Sequence, residues 1–290
     1  MNMNYVLITA ARNEESYIEK TIETVIAQTV LPKRWVIVSD GSTDRTDEIV
    51  KQYAENNDFI RLLRMEPDCQ RNFASKVYAV RAGLEQFEDI QYDIIGNLDA
   101  DVTFGPNYYE YVLNRFSEND KLGIAGGVLY ESYKGKIHKQ HYYNKASISG
   151  AVQTFRRQCY EDIGGYFPLQ TGGEDTVAEV TARMHGWQTR AFLEIPVLHH
   201  RRTGTAVMNI WATRFDEGYR DAMFGNHPVY HMVNCAYKML QPPFFMGGAL
   251  RMCGYLWASI AGGKRKVSKE FVKHIRWEQM RKLESLVFSK

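Results

Sequence analysis

The sequence predicts an α/β chain: a doubly wound, mostly parallel sheet followed by a C-terminal helical extension. Three observations carry that expectation. β-rich apolar runs alternate with helical patterns through roughly the first hundred residues. Successive strands run out into acid-bearing polar loops, at Glu14, at Asp40 and at Asp99 with Asp101, and independent helix caps are not expected to gather at one sheet edge. From Leu240 the texture changes to an apolar, glycine-bearing run and then to a basic tail.

The elements follow in order. Tyr5 to Thr9 is a short apolar strand, and Tyr17 to Ile26 repeats apolar residues at helical spacing. Trp35-Val36-Ile37-Val38 is a buried strand, and Asp40-Gly41-Ser42-Thr43-Asp44 is turn chemistry opening a helix through Ile49 and Tyr53. Ile60 to Leu63, a loop, a helix from about Phe73 to Phe87 and the strand Ile94-Ile95-Gly96 complete a parallel core. Beyond it, Leu122 to Leu129 and Ala151 to Phe155 read as strands, with a short helix near Gln158 to Ile163. Gly172-Gly173-Glu174-Asp175 opens a helix that Gly186 ends, and Ala191 to Leu198 is the last strand. The expected division is a catalytic domain over 1–205 and an extension over 206–290.

Composition narrows the class. With 290 residues, 44% hydrophobic and 24% charged, the chain is globular and can bury a full core. A net charge of +2 gives no case for nucleic acid as a partner. The positive charge is uneven: from Lys264 to Lys290 nine Lys/Arg stand against three Glu, which leaves about −4 on the rest. Cys69, Cys159, Cys235 and Cys253 form no CxxC pair, as expected of reduced thiols in a cytoplasmic protein. Met1 leads almost directly into Tyr5-Val6-Leu7-Ile8 without a basic leader or cleavage site, so nothing marks the chain for secretion.

The run Phe244 to Ala261 approaches the length of a membrane-spanning helix, but Arg251 near its middle and several glycines disfavour a span. Two readings stand open. The segment lies on the cytoplasmic face of an anionic membrane with Lys264-Arg265-Lys266 near the headgroups, or it packs as a hairpin on the domain or within a homodimer.

Asn97-Leu98-Asp99-Ala100-Asp101 is the most informative stretch. A strand ending in Asp-x-Asp aims both acids out of the carboxyl edge, where hard divalent cations find oxygen ligands and a diphosphate supplies the remainder. The small residues Thr9, Ala10 and Ala11 allow close backbone approach, Arg12 and Glu14 can reach a ligand, and Asp40 can accept from a base imide. Asp175 at a helix start is kept ionised by the helix dipole, which suits a base and equally suits an N-cap.

Taken together, Ile8-Thr9-Ala10-Ala11-Arg12-Asn13-Glu14-Glu15, then Asp40-Gly41-Ser42-Thr43-Asp44, then Asp99-Ala100-Asp101, then Gly173-Glu174-Asp175 resembles the family 2 glycosyltransferases of the GT-A fold. The likeness covers roughly residues 4–203. It implies that Thr9, Ala10, Ala11, Arg12, Glu14 and Asp40 hold the nucleotide, with Arg71 and Lys76 beside it and Asp99 near the ribose. The loop from Gln70 to Lys76 departs from the commoner glycine-rich form. The likeness further implies a Mg or Mn ion on Asp101, with Asp99 and His199 completing its shell. Asp175 becomes the catalytic base, and Glu174 orients the acceptor. Strand alternation sends His199 and His200 to opposite faces, so one takes part, and His199 is favoured. Arg201 can neutralise the leaving phosphate, and Thr203 and Gly204 allow a cover over the donor. The implied reaction is inverting, metal-dependent transfer from a nucleoside-diphosphate sugar to a glycan or lipid-linked glycan in cell-envelope or exopolysaccharide synthesis. The alternatives are a nucleotidyltransferase on a related sheet and a nucleotide-sugar-binding protein without turnover.

Overall fold

The structure is a computed structural model that describes residues 3–66, 74–133, 136–139, 146–201, 210–240, 244–261 and 265–288. The chain divides into two compact units, one of residues 1–170 with 174–202 and one of 171–173 with 203–290. Arg71, Phe73, Thr203, Gly204 and Cys69 lie outside the described residues.

The first unit alternates strand and helix as its sequence predicts: β1 (Tyr5–Ala11), α1 (Ile18–Ile26), β2 (Arg34–Asp40), α2 (Thr46–Asn56), β3 (Ile60–Met65), α3 (Ala74–Glu85) and β4 (Ile94–Asn97). It continues with β5 (Val102–Phe104), α4 (Tyr108–Glu118), β6 (Leu122–Tyr133), β7 (Lys136–Lys139), β8 (Thr154–Arg156), α5 (Arg157–Asp162), α6 (Glu174–Met184) and β9 (Gln188–His199). The strands form one sheet in the order β3-β2-β1-β4-β8-β6-β9-β5, with β7 paired to β6. Crossovers through α1, α2 and α3 let β1 to β4 run parallel. β8 and β5 enter antiparallel, while β6 and β9 run parallel across a register shift between Gly127 and Val128.

β1, β2 and β4 are buried on both faces and read as continuous apolar runs for that reason. The register of Ile8 on Asn97 and of Ala11 on Ser39 brings their carboxyl ends to one edge, and that alignment positions the site.

Several boundaries differ from expectation. β8 is shorter than Ala151 to Phe155, because the backbone of 151–153 is spent on the loop beyond β4: the Asn97 N–H donates to Gln153 O at 2.8 Å and the Asp99 N–H to Ala151 O at 2.9 Å. β6 and β9 extend beyond their apolar runs, since each pairs along the other. α4 was not expected, although Tyr108, Tyr109, Val112, Leu113 and Phe116 carry a helical spacing and are all buried.

The second unit consists, among described residues, of α7 (Ile210–Met223), α8 (Pro228–Met239), α9 (Met246–Ala261) and α10 (Lys269–Phe288). α7 and α9 cross closely: a Cβ on Gly218 would strike the Arg251 carbonyl, and one on Gly254 the Phe215 carbonyl. At that crossing Arg251 donates to Asp221 Oδ2 at 2.6 and 3.0 Å and to Glu217 Oε2 at 3.2 Å. Among the described residues no helix is long and apolar enough to cross a membrane.

Gly83 lets α3 lie directly on β1 and β2, since a Cβ there would sit 2.7 Å from Ile8 Cγ2 and 3.2 Å from Val38 Cγ2. Gly83→Ala is therefore expected to cost about 1–3 kcal/mol through overpacking. Denaturant unfolding measures it, and an unchanged midpoint would show that the helix can slide to make room.

Candidate functional site

Two loops at the carboxyl edge are built against each other. Asn13 stands at φ 57°, in the left-handed region that asparagine tolerates. From there its N–H donates to Ser42 Oγ at 3.2 Å, and its Oδ1 accepts from the Thr43 N–H at 2.9 Å. The next residues repeat the pattern: the Glu14 N–H donates to Thr46 Oγ1 at 2.7 Å and the Glu15 N–H to Asp44 Oδ2 at 3.0 Å. Arg12 Nη1 pairs with Asp40 Oδ2 at 3.3 Å across the same gap. Of the small residues before them, Thr9 is wholly buried and its hydroxyl accepts from Trp35 Nε1 at 3.0 Å; Ala11 is buried too, and Ala10 is half-buried.

The loop after β4 presents Asp99 and Asp101 in different directions. Asp99 Oδ1 accepts from Lys76 Nζ at 2.5 Å. Asp101 is buried, and its Oδ2 accepts from His199 Nε2 at 3.0 Å and from Arg201 Nε at 2.7 Å. Arg201 then reaches on through Nη2 to Glu14 Oε1 at 2.6 Å. Thr21 on α1 steadies the loop by donating to the carbonyls of Ala100 and Val102 at 2.8 and 3.0 Å. His200 turns the other way, to Thr103 Oγ1 at 3.1 Å and against the ring of Tyr17.

Charge follows from this layout. Burial pushes the Asp101 carboxyl up, yet His199 and Arg201 outweigh burial and hold it at about 2. Burial pushes the His199 imidazole down, and the hydrogen bond and charge of Asp101 more than reverse that, so the imidazole is raised overall. For Glu14 the balance falls the opposite way: burial dominates Arg201's pull and raises the carboxyl to about 7. The Lys76 ammonium is lowered by burial but raised overall by Asp99, Glu174 and Asp175.

Asp175 sits in the first turn of α6, where its Oδ1 accepts from the Thr176 N–H at 2.7 Å and its Oδ2 from the Gly150 N–H at 3.3 Å. Gly150 is shared, because its carbonyl also accepts from Lys76 Nζ at 3.1 Å and Asn97 Nδ2 at 2.6 Å. A Cβ on Gly150 would lie 3.1 Å from Asp175 Oδ2, so a larger residue would press on that carboxylate. Glu174 is buried beside Asp175, and burial and that neighbour raise its carboxyl.

Behind them lies a group the sequence reading passed over. Glu179, one helical turn beyond Asp175, is buried, and its Oε1 accepts from the Ile148 N–H at 2.6 Å and from Gln153 Nε2 at 3.1 Å. Gln153 Oε1 accepts from the Tyr166 hydroxyl at 2.6 Å. Burial and the charge of Asp175 raise the Glu179 carboxyl to about 8, which makes it a neutral brace for the 148–153 segment near pH 7.

The contacts thus form two sets, Asp99–Lys76–Gly150–Asp175 and His199–Asp101–Arg201–Glu14, while Asp40 meets Arg12 on the neighbouring loop. Ligand atoms of Asp99, Asp101 and His199 lie within 4.8 Å of one another. The two carboxylates are hard donors that suit Mg or Mn, and the imidazole adds a borderline nitrogen donor. These three residues would hold a cation only with the His199 Nε2 proton displaced, and Asp101 already accepts from Arg201.

Residues 6–171 match the sequence profile of Glycosyl transferase family 2. The chain is 33% identical over 199 residues to the poly-beta-1,6-N-acetyl-D-glucosamine synthase of Staphylococcus aureus, covering 62% of this chain and 46% of that protein. It therefore spans less than half the length of that curated relative. Among solved structures it resembles the mannosyltransferase PcManGT from Pyrobaculum calidifontis in complex with GDP-Man and Mn2+, with TM-score 0.59 and 14% identity over 100% of this chain and 88% of that one. It also resembles S. aureus TarS 1-349 in complex with UDP-GlcNAc, with TM-score 0.57 and 13% identity over 98% and 82%. These likenesses are ones of fold, and the fold is GT-A.

The Glu179 carboxyl gives a pH signature. Between its ordinary 4.5 and about 8 the folded chain keeps a proton that the unfolded chain releases, so this residue makes stability fall as pH rises through that window. Glu179→Gln keeps a neutral hydrogen-bonding group and removes the linkage. Urea midpoints at about pH 5 and about pH 8 should show the variant gaining on the native chain at the higher pH; a difference that does not change with pH contradicts the assignment.

Proposed function

The chain belongs to glycosyl transferase family 2, and from that footing we propose an inverting, metal-dependent transfer of a sugar from a nucleoside diphosphate to a hydroxyl acceptor. The observation that carries it is the pairing of two acidic centres: Asp99, Asp101 and His199 with ligand atoms within 4.8 Å, and Asp175 held on the Gly150 N–H, the two joined through Lys76.

In this reading the two clamped loops at Arg12, Glu14 and Asp40 receive the nucleotide, with the backbone at Ala10 and Ala11 in close approach. The Thr9 hydroxyl, engaged by Trp35, shapes the loop and leaves direct contact to its neighbours. Asp99, Asp101 and His199 hold the cation. When bound, it neutralises diphosphate oxygens and so eases departure of the nucleotide. Lys76 and Arg201 add fixed positive charge beside the same carboxylates.

Asp175 removes the proton from the acceptor hydroxyl. The acceptor oxygen attacks the anomeric carbon on the face opposite the diphosphate, the carbon–oxygen bond to phosphate breaks, and its electron pair leaves with the nucleoside diphosphate, so configuration inverts. Gly150 and Glu179 keep the base in place, and Glu174 orients the acceptor. The acceptor is a growing glycan or lipid-linked glycan of cell-envelope or exopolysaccharide assembly, a reading supported by the staphylococcal relative's name as the synthase of a glucosamine polymer. The first unit performs the reaction, and the helices of the second serve to anchor it.

The first test is a thermal-shift screen with Mn over nucleoside diphosphates and their sugars, beginning with UDP-GlcNAc and GDP-mannose, because a ligand selective for the folded chain raises its melting temperature. Asp175→Asn should leave donor affinity within a few-fold while transfer falls by about 10²–10⁴; unchanged turnover removes Asp175 from the mechanism. Asp101→Ala should abolish the dependence of donor affinity on Mn in calorimetry. Equal donor affinity with and without Mn in the native chain contradicts the metal role.

A further inference from the structure

α8 and α9 are built with their polarity reversed. On α8 the outward positions are Val229, Met232, Val233, Ala236 and Tyr237, followed by Leu240, at helical spacing and without a charge, while the inward positions include His231 and Cys235. On α9 Met246, Cys253, Leu256, Trp257 and Ile260 face outward, and Arg251 is buried against Asp221 and Glu217. A helix on a water-soluble domain shows the opposite order. Charge inside and apolar side chains outside is the order of helices whose outer solvent is lipid.

The turn leading into α9 adds an independent sign. Phe244 and Phe245 are 60% and 71% exposed, and Phe245 stands at φ 57°. A bulky residue in the left-handed region costs on the order of 1–3 kcal/mol. Glycine would avoid that cost, and the exposed phenyl returns no packing to this unit.

We propose that this face lies in one leaflet of an anionic bilayer, with the Phe244–Phe245 turn and the outward stripes of α8 and α9 among the upper acyl chains. Charge supports the choice of occupant. Arg265, Lys266, Lys269 and Lys273 are exposed soon after α9, against Glu270 alone in the same stretch, and such basic residues are drawn to anionic headgroups. Tyr237, Trp257 and Trp277 are more than half exposed and have the amphipathic rings that favour the headgroup level. α9 has 16 residues, about 24 Å of helix against roughly 30 Å of hydrocarbon, so it lies on the leaflet and does not cross. A second copy offers these cations no matching counter-charge from the same stretch, where Glu270 is the one acid from Arg265 to Lys273. The proposal stands apart from the transfer reaction, since it uses none of the residues of the first unit.

The test is flotation of the full chain with vesicles of phosphatidylcholine alone and of phosphatidylcholine with phosphatidylglycerol in equal parts. Binding is expected to the anionic vesicles and to weaken with salt. Phe244→Ser with Phe245→Gly should lower the partition coefficient by about tenfold or more, while the melting temperature holds or rises because the backbone strain is gone. Arg265→Glu with Lys266→Glu and Lys269→Glu should lower it by about tenfold or more on anionic vesicles and leave neutral ones unaffected. Donor-induced thermal shift should stay at the native value in both variants, which separates this outcome from failure of the transfer reading. Absence of the chain from floated anionic vesicles overturns the proposal, as does binding indifferent to the Phe pair. A dimer in light scattering that falls apart in the Phe variant, without lipid binding, assigns the face to a second copy.

Discussion

Arg201 holds its guanidinium between Asp101 and Glu14, and the site is organised around that positive charge. Acids drawn from β1's loop and β4's loop would repel one another and resist burial if left alone. With Nε on Asp101 and Nη2 on Glu14, a residue just beyond the last strand ties both loops together. His199 adds a second hydrogen-bond partner on the same Asp101 oxygen. The outcome is graded: Asp101 is ionised at any physiological pH, while Glu14, less well compensated, stands at about 7. One acid of the cluster thus keeps its charge, and its neighbour titrates close to neutrality.

The same logic runs through the other half of the site with a different cation. Lys76 serves Asp99 and the Gly150 carbonyl, and the Gly150 N–H serves Asp175. Gly150 therefore connects Lys76, the partner of Asp99, to the acid at the head of α6. Glu179 and Gln153 hold the flanking backbone, and they do so neutrally, so the brace adds no further negative charge to a crowded place.

How much of this could be read beforehand depended on the range of the interaction. The strand ends at Asp40 and Asp99 were legible because a buried parallel strand leaves a continuous apolar run, and the acids follow it directly. Asp101 and His199 were legible from strand-end position. The Arg201 bridge was not, since its partners lie 100 and 187 residues away and no local pattern encodes that meeting. Glu179 could have been found, because it sits four residues after Asp175 on a helix already recognised. The α8 stripe teaches a different limit. Its periodicity is plain in the letters, but periodicity marks a face without saying whether protein or lipid covers it, and only the burial of His231 and Cys235 settles which side is turned inward.

The paired loops at Asn13 and Ser42–Thr43 have a consequence for how such a protein can diversify. Each loop's backbone is terminated by the other's side chains, so neither is an independent module. Replacing Asn13 by glycine would keep the turn and sever the clasp, whereas most other residues would strain the turn itself. Change in this corner of the molecule must proceed by exchanging both segments together, and a chimera that transplants one of them alone inherits a lock without its key.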